Sequence, residues 1–320
     1  MKIFYRIYNF CLNTMSYILS KIIGKDIFFA YPYFYSIEPS SVCNLRCPQC
    51  PSGRGELTRK KVFLQMEDFD LILKKISPYA LHINFYLQGE PFLNSLLIKM
   101  IKKSSKQGIF TSTSTNAQAI SLEMAREIVK SGLNHLIVSI DGATQSSYEK
   151  YRVGGDLQKA LQAIENINKA KKELNKTFPK IEMQTLIFSH NENEIEEIKR
   201  LAKQLNVDKQ TFKTAQIYHY EEGNELMPQK EEFSRYQKIG QKYVRKGQTP
   251  RVCRSLHSSL AITVEGDVIP CVFDKNAEFA FGNLLQSSLK EIWNSSVAKQ
   301  FRKNKTLQKM TMCDNCAYRK

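Results

Sequence analysis

Two groups of cysteines in this 320-residue chain have the spacing of metal-cluster ligands. The first group places Cys43, Cys47 and Cys50 in one short segment, with three and then two residues between them. Thiolates spaced in this way bind soft metals or iron–sulfur clusters. Three thiolates leave one iron of a four-iron cluster without a protein ligand, and a small molecule can bind at that iron. The first group therefore predicts a reactive centre.

The second group lies further along the chain and contains Cys253, Cys271, Cys313 and Cys316. Four thiolates can close an iron–sulfur cluster completely, and they can also form a structural zinc site. The residues alone leave both interpretations open for this group. Zinc suits the first group less well, because no fourth cysteine or histidine lies near it in sequence.

The composition is that of a folded protein with a sizeable core, since 42% of the residues are hydrophobic and 24% are charged. Lys and Arg outnumber Asp and Glu by 47 to 31, which gives a net charge of +16. Such a charge suits an anionic partner, for example nucleic acid, an acidic substrate or a membrane surface. Because the basic residues are scattered without interleaved aromatic residues, a Lys-rich solubilising surface is the favoured interpretation.

The eight cysteines occur without a secretory signal, which argues against a disulfide framework. A reducing, cytoplasmic location is therefore expected. Cys11 lies outside both cysteine groups and is interpreted as a small buried side chain in a helix.

Residues 1–24 have the pattern of an amphipathic helix. The longest run without charge, from Ile7 to Ser20, is too short and too polar to span a membrane. One helical face carries Ile3, Ile7, Phe10, Ile18 and Ile22, and the helix ends carry Lys2, Arg6, Lys21 and Lys25. This pattern is typical of an interfacial membrane helix, which would place the protein at the inner face of the membrane. It is equally typical of a helix packed on the protein or on a partner chain.

Short apolar runs alternate with helical patterns from residue 35 onward. Strands are predicted at 35–38, 82–87, 109–114, 136–140, 181–188 and 209–213, and helices at 66–77, 94–107, 121–131, 157–174 and 192–205. Ser121 is the predicted N-cap of the helix at 121–131. This alternation predicts an α/β fold with a parallel sheet and helical crossovers, in the form of a partial (β/α)6 TIM-like barrel. Chemistry in such folds gathers at the carboxyl ends of the strands.

The remainder of the chain predicts a smaller, second region. A polar connection at 217–228 is followed by a predicted helix at 230–245, a hairpin at 260–264 and 268–272, and a helix at 289–301. The predicted domains are an N-terminal helix and lead-in at 1–34, a core at 35–216, a linker and helix at 217–250, and a small cysteine-bearing domain at 251–320.

The spacing Cys43-x₃-Cys47-x₂-Cys50 after a first strand resembles the signature of the radical S-adenosylmethionine (SAM) superfamily. Further segments resemble that family's SAM-binding motifs, and they lie at successive strand ends. They are Gln88-Gly89-Glu90-Pro91, Thr115-Asn116, Ser139-Ile140-Asp141-Gly142 and Tyr151-Arg152. Gln88 stands where the family has the first glycine of its Gly-Gly-Glu motif, and Gln49 stands where an aromatic residue is common.

The resemblance implies a SAM-binding [4Fe–4S] cluster held by the three cysteines. It implies that Gln88, Gly89 and Glu90 hold the methionine amino group, and that Ser139 and Asp141 reach the ribose and carboxylate. Asn116 and Arg152 complete the implied SAM site, with Arg152 as a partner for a carboxylate. Because Gln49 is not aromatic, the adenine contact is expected from backbone or from Leu186 or Ile187.

The C-terminal region resembles the SPASM/Twitch extension of some radical SAM enzymes. The matching residues are Cys253, Gly266 and Cys271, the segments Gly282-Asn283-Leu284 and Ser288 to Trp293, and the pair Cys313 and Cys316. A full SPASM domain has seven cysteines, so four imply the shorter Twitch form. The resemblance implies one auxiliary [4Fe–4S] cluster, held by all four cysteines.

The implied activity is reductive cleavage of SAM to a 5′-deoxyadenosyl radical, which abstracts hydrogen from a substrate. A closed auxiliary cluster favours oxidation of that substrate, and a low-potential flavodoxin or ferredoxin would supply electrons. The substrate class is open among small molecules, lipid-linked molecules and peptides, and no catalytic residue is predicted. The alternatives are a maturase that modifies or cross-links a peptide or protein and, in another class, a non-catalytic metal-binding or basic nucleic-acid-binding protein.

Overall fold

Strands and helices alternate along the chain as the sequence predicts, with some shifted ends. The computed structural model describes residues 2–306 and 311–316. The strands are β1 (Phe34–Ile37), β2 (His82–Asn84), β3 (Phe110–Thr115), β4 (His135–Ser139), β5 (Lys180–Ile187), β6 (Lys209–Thr214), β7 (Tyr236–Ile239), β8 (Lys242–Arg245), β9 (Ser259–Ile262), β10 (Asp267–Ile269) and β11 (Gly282–Asn283). The α-helices are α1 (Lys2–Ile23), α2 (Pro51–Arg54), α3 (Met66–Ile76), α4 (Leu97–Ser105), α5 (Leu122–Lys130), α6 (Gln145–Tyr151), α7 (Leu157–Glu173), α8 (Ile195–Gln204), α9 (Arg254–Ser258), α10 (Leu289–Trp293) and α11 (Ser296–Thr306).

The described chain forms two compact units, and neither is continuous in sequence. The first takes its residues from Met1–Val42, Leu57–Ser112 and Gln248–Lys320, and the second from Cys43–Glu56 and Thr113–Gly247. The three-cysteine group therefore belongs to the second unit, and the four-cysteine group to the first. The domain boundaries predicted from the sequence (1–34, 35–216, 217–250 and 251–320) divide the chain by resemblance to protein families and not by compactness. They stay a prediction.

β1 lies at the centre of the sheet in the first unit. It pairs in parallel with β2 on one side and with β9 on the other, so that Tyr35 lies opposite both Ile83 and Leu260. β9 continues through antiparallel pairs to β10 and β11, and β2 pairs in parallel with the start of β3. The side chains of Tyr35, Ile83 and Leu260 are all buried, as expected for parallel strands covered on both faces.

The second unit has its own parallel strands in the order β4, β5, β6. Val138 on β4 lies opposite Met183 on β5, and Leu186 on β5 lies opposite Lys213 on β6. The connecting helix α7 buries apolar residues at three- and four-residue spacings and packs against α5. Parallel strands joined by helices in this way confirm the predicted α/β class.

The segment 236–245 forms a β-hairpin, and the helix predicted at 230–245 is wrong. β7 and β8 pair antiparallel on either side of Gly240, whose φ of +62° is a left-handed conformation that glycine adopts without strain. The hydroxyl of Tyr236 accepts a hydrogen bond from the amide of Ile217 at 2.8 Å and donates one to its carbonyl at 3.0 Å. These bonds to a distant segment hold Tyr236 in a strand, so tertiary contacts override the helical pattern.

Two other helix ends illustrate how local capping sets boundaries. The predicted helix at 289–301 is divided into α10 and α11, because the hydroxyl of Ser295 accepts a hydrogen bond from the amide of Ala298 and starts a new helix. The predicted cap of α5 is confirmed, since the hydroxyl of Ser121 accepts a hydrogen bond from the amide of Met124 at 3.2 Å.

Helix α1 packs on the first unit through its polar side. Asn13 donates to the carbonyl of His257 at 2.7 Å, and the guanidinium of Arg6 donates to the carbonyls of Ser77 and Gln107, each at 2.9 Å. Arg6 and Asn13 are both buried. Of the two interpretations left open by the sequence, packing on the protein is therefore observed, but the buried side is not the apolar one.

The apolar residues of α1 point mostly to solvent. Ile3, Ile7, Ile18 and Ile22 are exposed, and Phe10 is half-buried against the ring of Tyr33. Cys11 is exposed too, so the prediction that its side chain is buried is wrong. None of the helices within residues 2–306 and 311–316 has both the length and the apolar character that a membrane-spanning segment needs.

His257 generates a prediction about the pH dependence of stability. Burial lowers the pKa of His257 to about 4, with the nearby Arg302 lowering it further, and its ring stacks on Phe28. As the pH falls, this histidine takes up a proton in the unfolded state before it does so in the folded state. Its contribution to the free energy of unfolding is therefore fully present above about pH 6.5 and is lost as the pH falls toward 4. We expect wild type to lose about 1 kcal/mol relative to His257→Phe between pH 7.5 and 5.5.

The measurement is urea unfolding at both pH values, followed by fluorescence of Trp293, the single tryptophan of the chain. Phe in place of His257 keeps an aromatic ring against Phe28 and removes the titrating group. Identical losses of stability in the two proteins would show that His257 is not the group that titrates.

A buried ion pair after β1 generates a second prediction. Arg59 donates to both carboxylate oxygens of Glu38, at 2.7 and 2.8 Å, and Glu38 also accepts from the amide of Val264. Glu38→Ala leaves the guanidinium unpaired, and we expect it to lower the free energy of unfolding by about 3–5 kcal/mol. The control is Asp70→Ala, which removes a half-exposed pair with Lys103 and should cost less than about 1 kcal/mol. Equal costs in thermal or urea unfolding would contradict the prediction.

Candidate metal centres and cofactor site

The three cysteines of the first group meet in one apolar part of the second unit. Cys47 is 5% exposed and belongs to a buried cluster with Leu45, Tyr151 and Phe188. Cys43 and Cys50 are partly buried and pack against the same cluster. The structure therefore places the three cysteines that the sequence grouped against one apolar cluster, with Cys47 inside it.

Hydrogen bonds to neighbouring segments fix the loop that carries these cysteines. The amide of Arg46 donates to the carbonyl of Val153 at 3.0 Å. The side-chain oxygen of Gln49 accepts from the amide of Tyr218 at 2.8 Å. Gln49, which replaces the common aromatic residue, thus holds the cysteine loop in place.

Gly53 is a residue of this site that sequence reasoning missed. A Cβ atom at position 53 would lie 2.5 Å from the backbone nitrogen and 2.7 Å from the carbonyl oxygen of Cys47. Real Cβ contacts are not this short, so only glycine lets α2 pack against the Cys47 peptide. The available signal was a glycine in the short helix that directly follows Cys50.

Asp141 and Arg152 form a buried ion pair beside the cysteine loop. The Nε of Arg152 donates to one carboxylate oxygen of Asp141 at 2.6 Å, and the amide of Leu186 donates to the other at 2.6 Å. The carbonyl of Asp141 accepts from the side chain of Asn191 at 2.9 Å. Arg152, which the sequence assigns to a carboxylate partner, has Asp141 as its carboxylate in this structure.

The charge of Arg152 acts on the nearest thiol. Burial raises the pKa of Cys47, while the positive charge of Arg152 and a hydrogen bond from it oppose that rise. The pKa of Arg152 is itself raised, because Asp141 and Cys47 outweigh the effect of its burial. Arg152 therefore favours the thiolate form of Cys47, which is the form that binds metal.

Asn116 lies at the end of β3, next to the first cysteine of the loop. Its side-chain amide donates to the side-chain oxygen of Asn44 at 2.8 Å and lies 3.9 Å from the sulfur of Cys43. The following residue, Ala117, has a φ of +59°, which is rare for a residue other than glycine. Non-glycine residues with positive φ cluster at functional sites, which agrees with the placement of Asn116.

Ser139 and Gly142 flank the predicted SAM-contact residue Asp141. Ser139 is buried at the carboxyl end of β4, opposite Gln184. A Cβ atom at Gly142 would lie 2.4 Å from the amide nitrogen of Tyr148, so only glycine allows α6 to start this close to Asp141.

The Gln88-Gly89-Glu90 segment belongs to the first unit. Gln88 and Glu90 are buried, and Gly89 has a φ of +67°. A Cβ atom at Gly89 would lie 2.3 Å from the carbonyl oxygen of Ser40, so glycine is required there on two grounds. The amide of Glu90 donates to the carbonyl of Val42, the residue before Cys43 in the chain. The carboxylate of Glu90 accepts from the amide of Phe92 at 3.1 Å.

The second cysteine group lines one cavity in the first unit. Its lining includes all four cysteines of the group, and among the other lining side chains are Phe273 and Phe301. The lining cysteines are Cys253, Cys271, Cys313 and Cys316. Burial raises the pKa of Cys271 to about 12, and the neighbouring Cys253 and Cys316 raise it too. Four soft donors around an apolar cavity fit an iron–sulfur cluster.

The glycine and asparagine expected in this region lie in the turn after β9 and on β11. Gly266 has a φ of +87° in the turn between β9 and β10. Asn283 donates to the carboxylate of Asp267 at 2.9 Å across β10 and β11. Ser288 and Glu291 form a capping box at the start of α10. Among the described residues, no three His, Cys, Asp or Glu side chains are grouped as ligands of a single metal ion.

Comparison with known protein families matches the two regions separately. The radical SAM superfamily model matches residues 37–202, which is more than half of the chain. The chain belongs to the radical SAM superfamily. A model described as an iron–sulfur cluster-binding domain (SPASM) matches residues 253–317. That the chain is an enzyme, and that SAM and iron–sulfur clusters are its cofactors, is therefore confirmed.

One curated relative aligns with most of the chain. It is the tungsten-containing aldehyde ferredoxin oxidoreductase cofactor-modifying protein of Pyrococcus furiosus, with 24% identity over 90% of this chain and 87% of the relative. At this identity the alignment supports the family and leaves the reaction open.

Solved structures confirm the fold. Streptococcus suis SuiB bound to S-adenosylmethionine has a TM-score of 0.66 at 15% identity, covering 90% of this chain and 73% of SuiB. SuiB has also been solved with its precursor peptide SuiA. BtrN in complex with AdoMet and 2-DOIA has a TM-score of 0.58 at 16% identity, covering 91% of this chain and 94% of BtrN. The predicted partial (β/α)6 barrel of the radical SAM core is thus confirmed.

The iron content of variants tests the assignment of cysteines to clusters. Wild type, reconstituted without oxygen, should hold about eight irons and eight sulfides per chain. Replacing Cys43, Cys47 and Cys50 by Ala should leave about four irons, and so should replacing Cys271 and Cys316. Cys11→Ala is the matched control, because Cys11 is exposed and outside both groups, and it should keep about eight. About four irons in wild type together with bound zinc would contradict the assignment.

Proposed function

We propose that this enzyme binds SAM at the open iron of a cluster held by Cys43, Cys47 and Cys50 and uses it to oxidise a substrate. The observation that carries the proposal is that a three-cysteine loop and a four-cysteine cavity occur in the same chain. When bound, the first cluster and SAM together supply the 5′-deoxyadenosyl radical that abstracts hydrogen. A cluster closed by four thiolates offers no iron for substrate, which favours a role in electron transfer.

The residues proposed to contact SAM lie at or after the ends of strands, except for Arg152, which lies at the end of α6. Their polar side chains are buried or nearly so, which is expected of groups that recognise a ligand by hydrogen bonds. The proposed set is Gln88, Gly89, Glu90, Asn116, Ser139, Asp141 and Arg152. In the second unit, Asn116 and Arg152 are each next to a cysteine of the loop, at Cys43 and Cys47 respectively.

The apolar cluster around Cys47 would protect a reactive intermediate from water. Phe188 is fully buried and packs against Tyr151, with ring centroids 4.2 Å apart and the ring planes tilted by 32°. Water exclusion prevents side reactions of reactive species, which is a requirement for radical chemistry. We propose that this cluster keeps the hydrogen abstraction selective for the bound substrate.

The net change proposed for the substrate is the loss of two hydrogens. One leaves as a hydrogen atom and is recovered in 5′-deoxyadenosine. The other would leave as a proton and an electron, and a cluster held by Cys253, Cys271, Cys313 and Cys316 would supply an acceptor for that electron. Each turnover consumes one SAM and one electron from the donor and returns one electron. We propose a low-potential flavodoxin or ferredoxin as the donor and the cytoplasm as the location.

A second candidate function is the maturation of a peptide, protein or cofactor. It is favoured by the Pyrococcus furiosus relative, which is a cofactor-modifying protein, and by SuiB, which was solved with a precursor peptide. The same hydrogen abstraction would serve this function, and the substrate would be a macromolecule or cofactor precursor. The two candidates differ only in what the enzyme binds after SAM.

A SAM-cleavage assay tests the proposal without knowledge of the substrate. Anaerobically reconstituted wild type with dithionite should form 5′-deoxyadenosine and methionine in equal amounts. Cys47→Ala should abolish both products, because the cluster loses a ligand. The double variant Cys271→Ala/Cys316→Ala should still form them, since its three-cysteine group is intact. Cys11→Ala should behave as wild type.

Chromatography with mass spectrometry quantifies both products. Absence of 5′-deoxyadenosine from wild type that holds its full iron content would contradict the proposed activity. Loss of 5′-deoxyadenosine in the double variant would contradict the proposed division of roles between the two cysteine groups. Candidate substrates can then be compared by a mass loss of about 2 Da, which distinguishes two-electron oxidation from a rearrangement without mass change.

A further inference from the structure

Helix α1 is attached to the first unit by a stripe of polar residues. The stripe follows three- and four-residue spacings, and all of its members are buried. They are Arg6, Asn9, Asn13, Ser16 and Ser20. Each side chain bonds to backbone of the unit. Asn9, for example, bonds to both the amide and the carbonyl of Tyr31, at 3.0 and 2.9 Å. These bonds fix which side of the helix faces the protein.

The opposite side of α1 is a stripe of exposed apolar residues, here named the outer stripe. Its members recur at alternating four- and three-residue spacings along the helix, and they are Phe4, Tyr8, Cys11, Met15, Ile18 and Ile22. Phe4 and Ile22, at its two ends, are 75% and 76% exposed. At 1.5 Å per residue the outer stripe is roughly 27 Å long. A helix packed on a globular protein normally shows the reverse arrangement, with apolar residues inside.

An exposed apolar stripe of this length marks an interaction surface. The hydrogen bonds of the polar stripe hold α1 in this orientation, so the helix cannot rotate to bury the outer stripe without losing them. Because the polar stripe already faces the protein, the outer stripe can be buried only by a lipid surface or by another molecule. The charges around α1 indicate which one.

The charges around α1 are positive. The helix itself contains no Asp or Glu, and Lys21 and Lys25 at its end are exposed. The guanidinium of Arg251 lies against Gly24, directly after the helix. Asp26 is the nearest acidic residue in sequence, and it interacts with Arg302. The whole chain carries a net charge of +16. These charges are complementary to an anionic surface.

A second copy of the chain would also cover the outer stripe, since its spacing suits helix pairing. Pairing two copies would bring the same lysines together, and α1 has no carboxylate to neutralise them. An anionic lipid surface accepts the apolar side chains and pairs with the cations at the same time.

We propose that α1 is an interfacial membrane helix that lies along an anionic bilayer, with the outer stripe in the boundary between headgroups and acyl chains. The hydrogen bonds of the polar stripe attach the same helix to the first unit. Lys21, Lys25 and Arg251 contact lipid headgroups at one end. This inference does not depend on the substrate or on the reaction.

Vesicle flotation of the cluster-loaded full chain tests the inference. Two kinds of vesicle serve as probes. Neutral vesicles contain phosphatidylcholine alone, and anionic vesicles also contain about 30% phosphatidylglycerol. Wild type should float with the anionic vesicles and less with the neutral ones. Phe4→Glu/Ile18→Glu/Ile22→Glu should lower the bound fraction at least about tenfold, because it places charges in the outer stripe.

The matched control carries the same change in charge at exposed apolar residues elsewhere. Phe178, Ile239 and Val297 are 46%, 60% and 52% exposed. The variant Phe178→Glu/Ile239→Glu/Val297→Glu should keep the flotation of wild type. Because all six positions are exposed, both triple variants should fold and retain the iron content of wild type.

Cys11 provides an independent measurement, because it is exposed within the outer stripe. An environment-sensitive fluorophore attached to Cys11 of the cluster-loaded protein should shift to the blue when anionic vesicles are added. The Cys11→Ser protein, treated in the same way, should show no blue shift. Any fluorescence from this protein measures how far the remaining cysteines are labelled.

Three outcomes would overturn the proposal. Wild type that fails to float with anionic vesicles would remove the membrane as the partner. Equal flotation of the two triple variants would show that net charge alone binds the protein. A dimer in sedimentation equilibrium that the Phe4, Ile18 and Ile22 substitutions dissociate, without flotation of wild type, would assign the outer stripe to a second copy.

Discussion

The buried pair of Asp141 and Arg152 organises the part of the protein in which the three cysteines meet. Asp141 uses one carboxylate oxygen for Arg152, the other for the amide of Leu186, and its carbonyl for Asn191. Asp141 thus connects the end of β4, the end of β5 and the turn after β5 through its side chain and its backbone carbonyl. Because Arg152 also acts on Cys47, a change in the pair would be transmitted to the metal ligands. Removing one partner would leave the other as a buried charge.

One cysteine of each group, Cys47 and Cys271, lies where burial disfavours the thiolate form. Burial raises the pKa of Cys47 and raises that of Cys271 to about 12. A bound cluster reverses this cost, because iron supplies the positive charge that the apolar surroundings lack. Metal binding and the stability of these two sites are therefore coupled. The apolar surroundings also limit the access of water, and with it they tune the potential of a bound cluster.

The sequence predicted those features that depend on local spacing. The cysteine groups, the parallel strands and the cap at Ser121 each depend on residues close together in the chain. The hairpin at 236–245 was not predictable, because hydrogen bonds between Tyr236 and the distant Ile217 decide it. The orientation of α1 was missed for the same reason. Its buried side is selected by carbonyls of Ser77 and His257, and no helical pattern identifies such distant acceptors.

The discontinuity of the first unit has a consequence for how the protein is made. β1 forms early in synthesis, yet one of its two pairing edges belongs to β9, which the ribosome adds much later. Until Ser259–Ile262 has been synthesised, this edge of β1 has unpaired backbone amides and carbonyls. Side chains that are buried in the folded protein are then exposed to solvent. All residues of the second unit, including the cysteine loop, have by then been synthesised. Until the sheet closes, this unpaired edge exposes the nascent chain to aggregation.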